Sequence, residues 1–212
     1  MASLTRVART RKPNLDDRRD EFERTVLSAL EQLLSDGTPF TELAVQRIAK
    51  ASGVARSTFY RYFPDKSQLL IRMADLATED LFGTAERWWL ADHTDARDSV
   101  ITAMRDMLDG FRNHRVVLLA LYEVSAYDRD VGRYWSARVR AFTGVVRTRL
   151  HEEQRAGQVS AEVDVDATAI VLTSMVERVI TVACAHASTA GDEQIAQALG
   201  RAIWLILYGD RA

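Results

Sequence analysis

Cysteine is almost missing from this chain of 212 residues, with Cys184 standing alone. One thiol closes no internal disulfide, which excludes a stapled secreted scaffold and suits a reducing compartment. Proline is scarce at three residues and glycine at ten. So little punctuation argues against an all-β fold of many tight turns and for long helices. No run approaches eighteen uninterrupted apolar residues, so no membrane span is expected. The opening MASLTRVARTRKPN has charge but no apolar stretch, so a secretory leader is not expected and the location is read as cytoplasmic.

Catalytic signatures are lacking too. His93, His114, His151 and His186 are dispersed, and HEEQR over 151–155 fails zinc-protease spacing because Arg155 stands where the second histidine belongs. There is no glycine-rich phosphate loop and no GxSxG elbow. Cys184 in an apolar segment reads as packing rather than as a nucleophile. No enzyme activity, metal or cofactor is expected. A helical protein-interaction module is a rival reading, but it leaves the basic segments described next without a role.

Hydrophobic residues make up 47% of the chain and charged residues 27%, an ordinary balance for a folded protein with a sizeable core. The net charge of −2 conceals a division. Residues 1–66 hold twelve Lys/Arg against nine Asp/Glu, whereas the remainder holds sixteen against twenty-one. A basic head on an acidic body suggests that the head meets a polyanion, with a solvated tail of chance charge as the alternative.

The apolar spacing is helical throughout, and the fold class is all-α. Helices are expected at about 17–34, 42–51, 56–62, 65–81 (extending towards 90), 95–112, 115–125, 128–156, 164–187 and 192–208. The first three short helices, with Gly53 at a tight turn and the small Ala49 before it, have the geometry of a helix-turn-helix that presents its second helix to the major groove. Phe59 and Phe63 fall on the buried face, which leaves Ser57, Thr58, Arg61 and Tyr62 outward. The segments 164–187 and 192–208 are apolar on nearly every side and so require cover on every side. A four-helix homodimer interface supplies that cover, and a position at the centre of a monomer is the alternative.

IAKASGVARSTFYRYFPDKSQLL (48–70) resembles the DNA-binding signature of the TetR family of bacterial transcriptional regulators. The likeness is close over about residues 20–70 and implies a basic arm at 1–16, a DNA-binding head at 17–66, and a ligand-binding and dimerisation domain at 67–212. It implies that Arg56, Ser57, Thr58 and Arg61 meet base edges or phosphates, that Tyr60 and Tyr62 offer hydroxyls to phosphates, and that Lys66 reaches the DNA backbone. Arg61 is the first candidate for base readout, since arginine against guanine is the commonest specific contact. Ala44 and Ala55 depart from the family's usual Ser or Thr, which removes two helix caps; Thr41 is the candidate replacement for the first. The arm Arg6–Lys12 is a candidate for a further DNA contact.

The implied function is a dimeric repressor released from its operator by a small, largely apolar effector. An activator or ligand-independent regulator of the same family is the alternative. Residues 88–142 concentrate Trp88, Trp89, Met104, Met107, Phe111, Tyr122, Trp135 and Phe142, which suits an adaptable apolar cavity or plain core. GRYWSARVRAF (132–142) and the ending WLILYGDRA are similar to a mycobacterial subgroup, the ethionamide-activator repressors. That likeness implies a channel lined by Met107, Phe111, Trp135, Val139, Phe142, Thr173, Val176 and Trp204. Thr173 and Val176 stand where that subgroup has asparagines, implying a more apolar effector. Glu177 and Arg178 are read as a structural ion pair, with a role in orienting a polar end of the effector as the alternative. Ligand is expected to move the helix at 95–112, which tilts the helix at 65–90 and with it the DNA-reading helix.

Overall fold

A computed structural model describes residues 15–90 and 96–209. The arm Arg6–Lys12 and His93 lie outside the described residues, as do the side chains of Trp88 and Trp89. The described residues are all-α: α1 Leu15–Ser35, α2 Val45–Ala51, α3 Arg56–Tyr62, α4 Lys66–Leu90, α5 Ala96–Asn113, α6 Arg115–Ser125, α7 Arg129–Arg155, α8 Val165–Cys184 and α9 Asp192–Tyr208, plus a 3-10 turn at Phe40–Glu42. All nine expected helices are present, with most boundaries within a residue or two.

Two boundaries differ for physical reasons. The second helix begins at Val45 rather than 42, because Phe40–Glu42 tightens into the 3-10 turn and Leu43 and Ala44 are extended. Ala44 is therefore the cap position, makes no side-chain cap bond, and Thr41 does not replace it. The eighth helix ends at Cys184 rather than 187. Its last carbonyls are taken by arginines from neighbouring elements: Arg115 donates to Cys184 O at 2.7 Å and Ala185 O at 2.6 Å, and Arg112 to Ala183 O at 3.1 Å. Guanidinium groups satisfy the orphan carbonyls of a helix end and oppose its partial negative charge. Arg112 also grips Asp192 with two bonds of 2.8 and 2.9 Å, so one side chain fixes the whole α8–α9 connection.

The head is α1, α2 and α3 with the first turns of α4, closed over Val26, Leu30, Phe40, Leu43, Ile48, Phe59 and Leu69, each at most 2% exposed. The body is built of α5 to α9 around the rest of α4. Its most extensive pairing is α5 with α9. That pairing depends on Gly200, where an added Cβ would stand 2.6 Å from Ile101 Cγ1 and 2.9 Å from Ile101 Cα.

α8 is long and apolar enough to cross a bilayer by length and composition, with mean hydropathy 1.6. It is nonetheless interrupted by Glu177 and Arg178, and it packs on α7 and α5 within the body. Cys184 is fully buried, as expected of a packing residue.

Gly200→Ala is expected to force α9 away from α5 and destabilise the chain by about 1–3 kcal/mol. For a chain of this size that lowers the melting temperature by roughly 2–12 °C. Differential scanning calorimetry checks it, and an unchanged melting temperature would show that Ile101 yields freely.

Candidate nucleic-acid interface and ligand cavity

The turn between α2 and α3 is set by Gly53, whose φ of +67° is costly for a side-chain-bearing residue. Around it Val54 N–H donates to Ala49 O at 3.0 Å and Gly53 N–H to Lys50 O at 3.1 Å. These two bonds satisfy the carbonyls that α2 leaves open and turn the chain sharply into α3. Ala55 caps α3 without a side-chain bond.

The crowded aromatics of α3 then divide between two faces. Phe59 and Phe63 are buried with ring centroids 5.6 Å apart. Tyr62 is half-buried and stacks on Phe22 of α1 at 4.2 Å. Arg56, Ser57, Tyr60 and Arg61 are exposed, and Thr58 is half-buried. The Arg56 guanidinium lies over the Tyr60 ring at 5.5 Å. Six of the seven sequence candidates for DNA contact thus share the short helix α3, and four of them stand open to solvent.

Lys66 differs from expectation. Its ammonium donates to Phe40 O at 3.1 Å, Thr41 O at 3.0 Å and Leu43 O at 3.3 Å. An ammonium has three donors, and all three are engaged within the head. Burial pulls its pKa below the ordinary lysine value. Lys66 therefore ties the 3-10 turn to the start of α4 instead of reaching outward to the DNA backbone.

The second site is a cavity of about 50 Å³ between α4, α5, α7 and α8. Seven of the eight expected lining residues converge on it: Met107, Phe111, Trp135, Val139, Phe142, Thr173 and Val176. Trp204 does not line it; α9 turns this ring towards Tyr208, 6.3 Å away between centroids. Leu81, Phe82, Ile180 and Thr181, not among the expected residues, complete the wall together with Glu177, for which a place at the effector was the alternative reading. Helical period alone reaches three of these, because Thr173, Val176, Glu177, Ile180 and Thr181 fall at i, i+3, i+4, i+7 and i+8 on one face. The expected ion pair is also absent. Glu177 lines the cavity with Trp135, while Arg178 turns to donate to the Tyr122 hydroxyl at 2.6 Å.

Polar links tie this cavity wall to the head through α4. Thr78, fully buried on α4, takes bonds from Arg138 Nε at 3.2 Å and Nη2 at 2.9 Å, and its hydroxyl lies 3.2 Å from that of Tyr134. Burial pushes the Tyr134 hydroxyl up to about 12. Ser67, at the head end of α4, donates to Asp128 at 2.6 Å, and Asp128 in turn caps α7. That bond, against a smaller effect of burial, holds the Asp128 carboxyl below its ordinary range.

A helix-turn-helix head joined by one continuous helix to a larger helical body defines a class of bacterial transcriptional regulators. The family model described as bacterial regulatory proteins, tetR family, matches residues 27–73, and that described as transcriptional regulator EthR, C-terminal domain, matches residues 100–209. The chain belongs to the TetR family of DNA-binding transcriptional regulators, with a larger domain of the EthR type. It is 28% identical over 195 residues to the HTH-type transcriptional regulator EthR of Mycobacterium tuberculosis, covering 91% of this chain and 85% of that protein. Its identity to EthR of Mycolicibacterium smegmatis is 24% over 212 residues, covering 98% and 95%. Among solved structures, the SmeT–triclosan complex superposes with a TM-score of 0.73 at 16% identity, covering 90% of this chain and 93% of that one. FadR from Bacillus subtilis in complex with stearoyl-CoA gives 0.69 at 14% identity, covering 88% and 98%. These relatives are regulators and not enzymes.

Lys66→Met is expected to lower the stability of the head by about 1–3 kcal/mol, since three carbonyls lose their donor. It should leave the slope of log affinity against log salt for DNA unchanged, whereas a lysine on a phosphate contributes about one to that slope. A slope reduced by about one at unchanged stability would return Lys66 to the DNA backbone.

Proposed function

We propose that this chain is a repressor that binds operator DNA as a homodimer and is released by a small, largely apolar effector. The observation that carries this reading is the span of α4. One end of that helix, through Lys66, Leu69 and Leu70, is built into the head, and Leu81 and Phe82 farther along line the cavity. A cavity of about 50 Å³ is far below the ~300–1,000 Å³ of an occupied small-molecule site. Filling it therefore requires its walls to part, and α4 is one of those walls. An effector acts only through a difference in affinity between the two arrangements of α4.

Dimer formation is supported by the uncovered apolar residues of α8 and α9. Ile170 is 58% exposed, Val171 and Val182 53%, Leu205 49% and Ile206 40%. A second copy meeting this face removes that surface from water and pairs two heads on one side of the DNA, as a two-fold operator requires. Arg61, Arg56, Ser57 and Thr58 are the groups on α3 suited to base edges, and the hydroxyls of Tyr60 and Tyr62 to phosphates. That one relative is solved with triclosan and another with stearoyl-CoA accords with an apolar effector.

Val176→Trp is expected to mimic an effector by filling the cavity. Operator affinity measured by fluorescence anisotropy should fall by at least about tenfold while calorimetry still shows a cooperative transition. A folded variant with undiminished affinity would sink the coupling through α4.

Arg61→Ala is expected to reduce discrimination between operator and unrelated DNA, whereas Tyr62→Phe weakens both by a similar factor. Competition anisotropy at fixed salt separates these outcomes. Equal loss on every sequence for Arg61→Ala would make that residue a phosphate contact.

A further inference from the structure

The cavity wall is hydrocarbon and aromatic except for the hydroxyls of Thr173 and Thr181 and one ionisable group. That group is Glu177 on α8, half-buried and sharing the wall with the Trp135 ring. A carboxylate offers about four lone-pair positions, which gives this wall acceptor capacity for a charged ligand. The adjacent cation forms no ion pair with it, because Arg178 is turned onto the Tyr122 hydroxyl and ring and offsets its charge only from a distance. The hydroxyl of Thr173 is already occupied. It donates to Ala169 O at 2.8 Å and lies 3.0 Å from that of Thr143.

Aromatic rings surround the same space. The Phe82 centroid stands 6.3 Å from that of Trp135 and 5.3 Å from that of Phe142. Ring faces attract cations, and more strongly out of water. A carboxylate without an ion-pair partner among aromatic rings favours one ligand charge and opposes the other.

We propose that the effector is an apolar amine, its ammonium held by the Glu177 carboxylate and the rings of Phe82, Trp135 and Phe142 while its hydrocarbon fills the cavity. This rests on reading the cavity as the effector site. It deepens that reading by naming the ligand's charge and excluding apolar carboxylates, which would meet Glu177 with like charge. An ammonium opposite Glu177 forms a charge-assisted hydrogen bond, stronger than one between neutral groups. Burial raises the Glu177 pKa, with Arg178 opposing. No other titratable group lines the wall, since α4, α5 and α7 face it with Leu81, Phe82, Met107, Phe111, Trp135 and Phe142. The bound form is therefore the ionised carboxylate, and amine affinity should rise with pH while the amine, like a lysine, stays charged.

The test is calorimetric titration of the full chain, without DNA, using n-octylamine, 1-octanol and octanoate. Octylamine is expected to bind at least about tenfold more tightly than octanol at neutral pH, with octanoate weakest. The octylamine preference should grow as the pH rises through the Glu177 pKa, which burial holds above the ordinary carboxylate value, with octanol unaffected. Glu177→Gln should remove the preference for octylamine and keep octanol binding within about twofold. Equal binding of amine and alcohol by the native chain would overturn the proposal, as would a flat pH profile, tighter octanoate binding or no binding of any probe. Because DNA is absent, tight octylamine binding that leaves operator affinity unchanged would strike the release mechanism and not this assignment.

Discussion

One buried stripe holds the two halves of the molecule together. Leu69, Met73, Ala77 and Leu81 form one row at i, i+4 spacing along α4 and Leu70, Ala74 and Thr78 the row beside it, and each is at most 7% exposed. Helical geometry places such positions on one face over several turns. The lower residues of this stripe close the head and the upper ones close the body. Neither half completes its core without α4, so no flexible linker separates DNA reader from sensor. Any rearrangement of the cavity wall at Leu81 and Phe82 is therefore felt by a helix whose other end is fixed in the head.

Polar bonds pin that stripe in register. Apolar packing alone tolerates sliding, since it is largely non-directional. The Thr78 hydroxyl bonded by Arg138, and Ser67 bonded to Asp128, fix both the height and the rotation of α4 against α7. Buried polar networks of this kind lose heavily if one member is displaced, because its partner is left unsatisfied in a low dielectric. They make a small shift of α4 unfavourable, so the proposed release would need a second arrangement in which these groups find other partners. The Phe82 ring links this network to the cavity, since the Arg138 guanidinium lies 5.8 Å over its centroid.

Much of this was legible in the sequence, for reasons that also explain what was not. Helices of this length announce themselves through apolar period, and Gly53 and Pro64 punctuate the head unambiguously. The expected second helix takes in Glu42, Leu43 and Ala44, which fall in or just after the 3-10 turn, because their side chains are compatible with both. What decides between them is the ammonium of Lys66, more than twenty residues later in the chain. The same distance hid the role of Lys66 itself, whose acceptors are backbone carbonyls that no side-chain pattern reveals. Trp204 was carried over by resemblance, and the direction of its ring on α9 is a matter of tertiary packing. Glu177 was seen but paired with its neighbour, although residues adjacent on a helix point about 100° apart and seldom share a partner.

The head itself is built to move as one piece. Tyr62 of the DNA-reading helix stacks on Phe22 of α1. Next to Phe22 on α1, Glu23 accepts from Arg72 of α4 at 3.0 Å and from Arg19 at 3.1 Å. Burial alone would raise the Glu23 pKa, but these two guanidinium groups hold it below the usual range. A charge that is paired twice and nearly buried is costly to separate, so α1, α3 and α4 are locked into one triangle by a ring stack, an ion pair and the apolar core. Deformation inside the head is thereby expensive, so an effector acting as proposed would displace the head together with α4. Such a displacement would also disturb the packing of α6 on α1 and on the 3-10 turn.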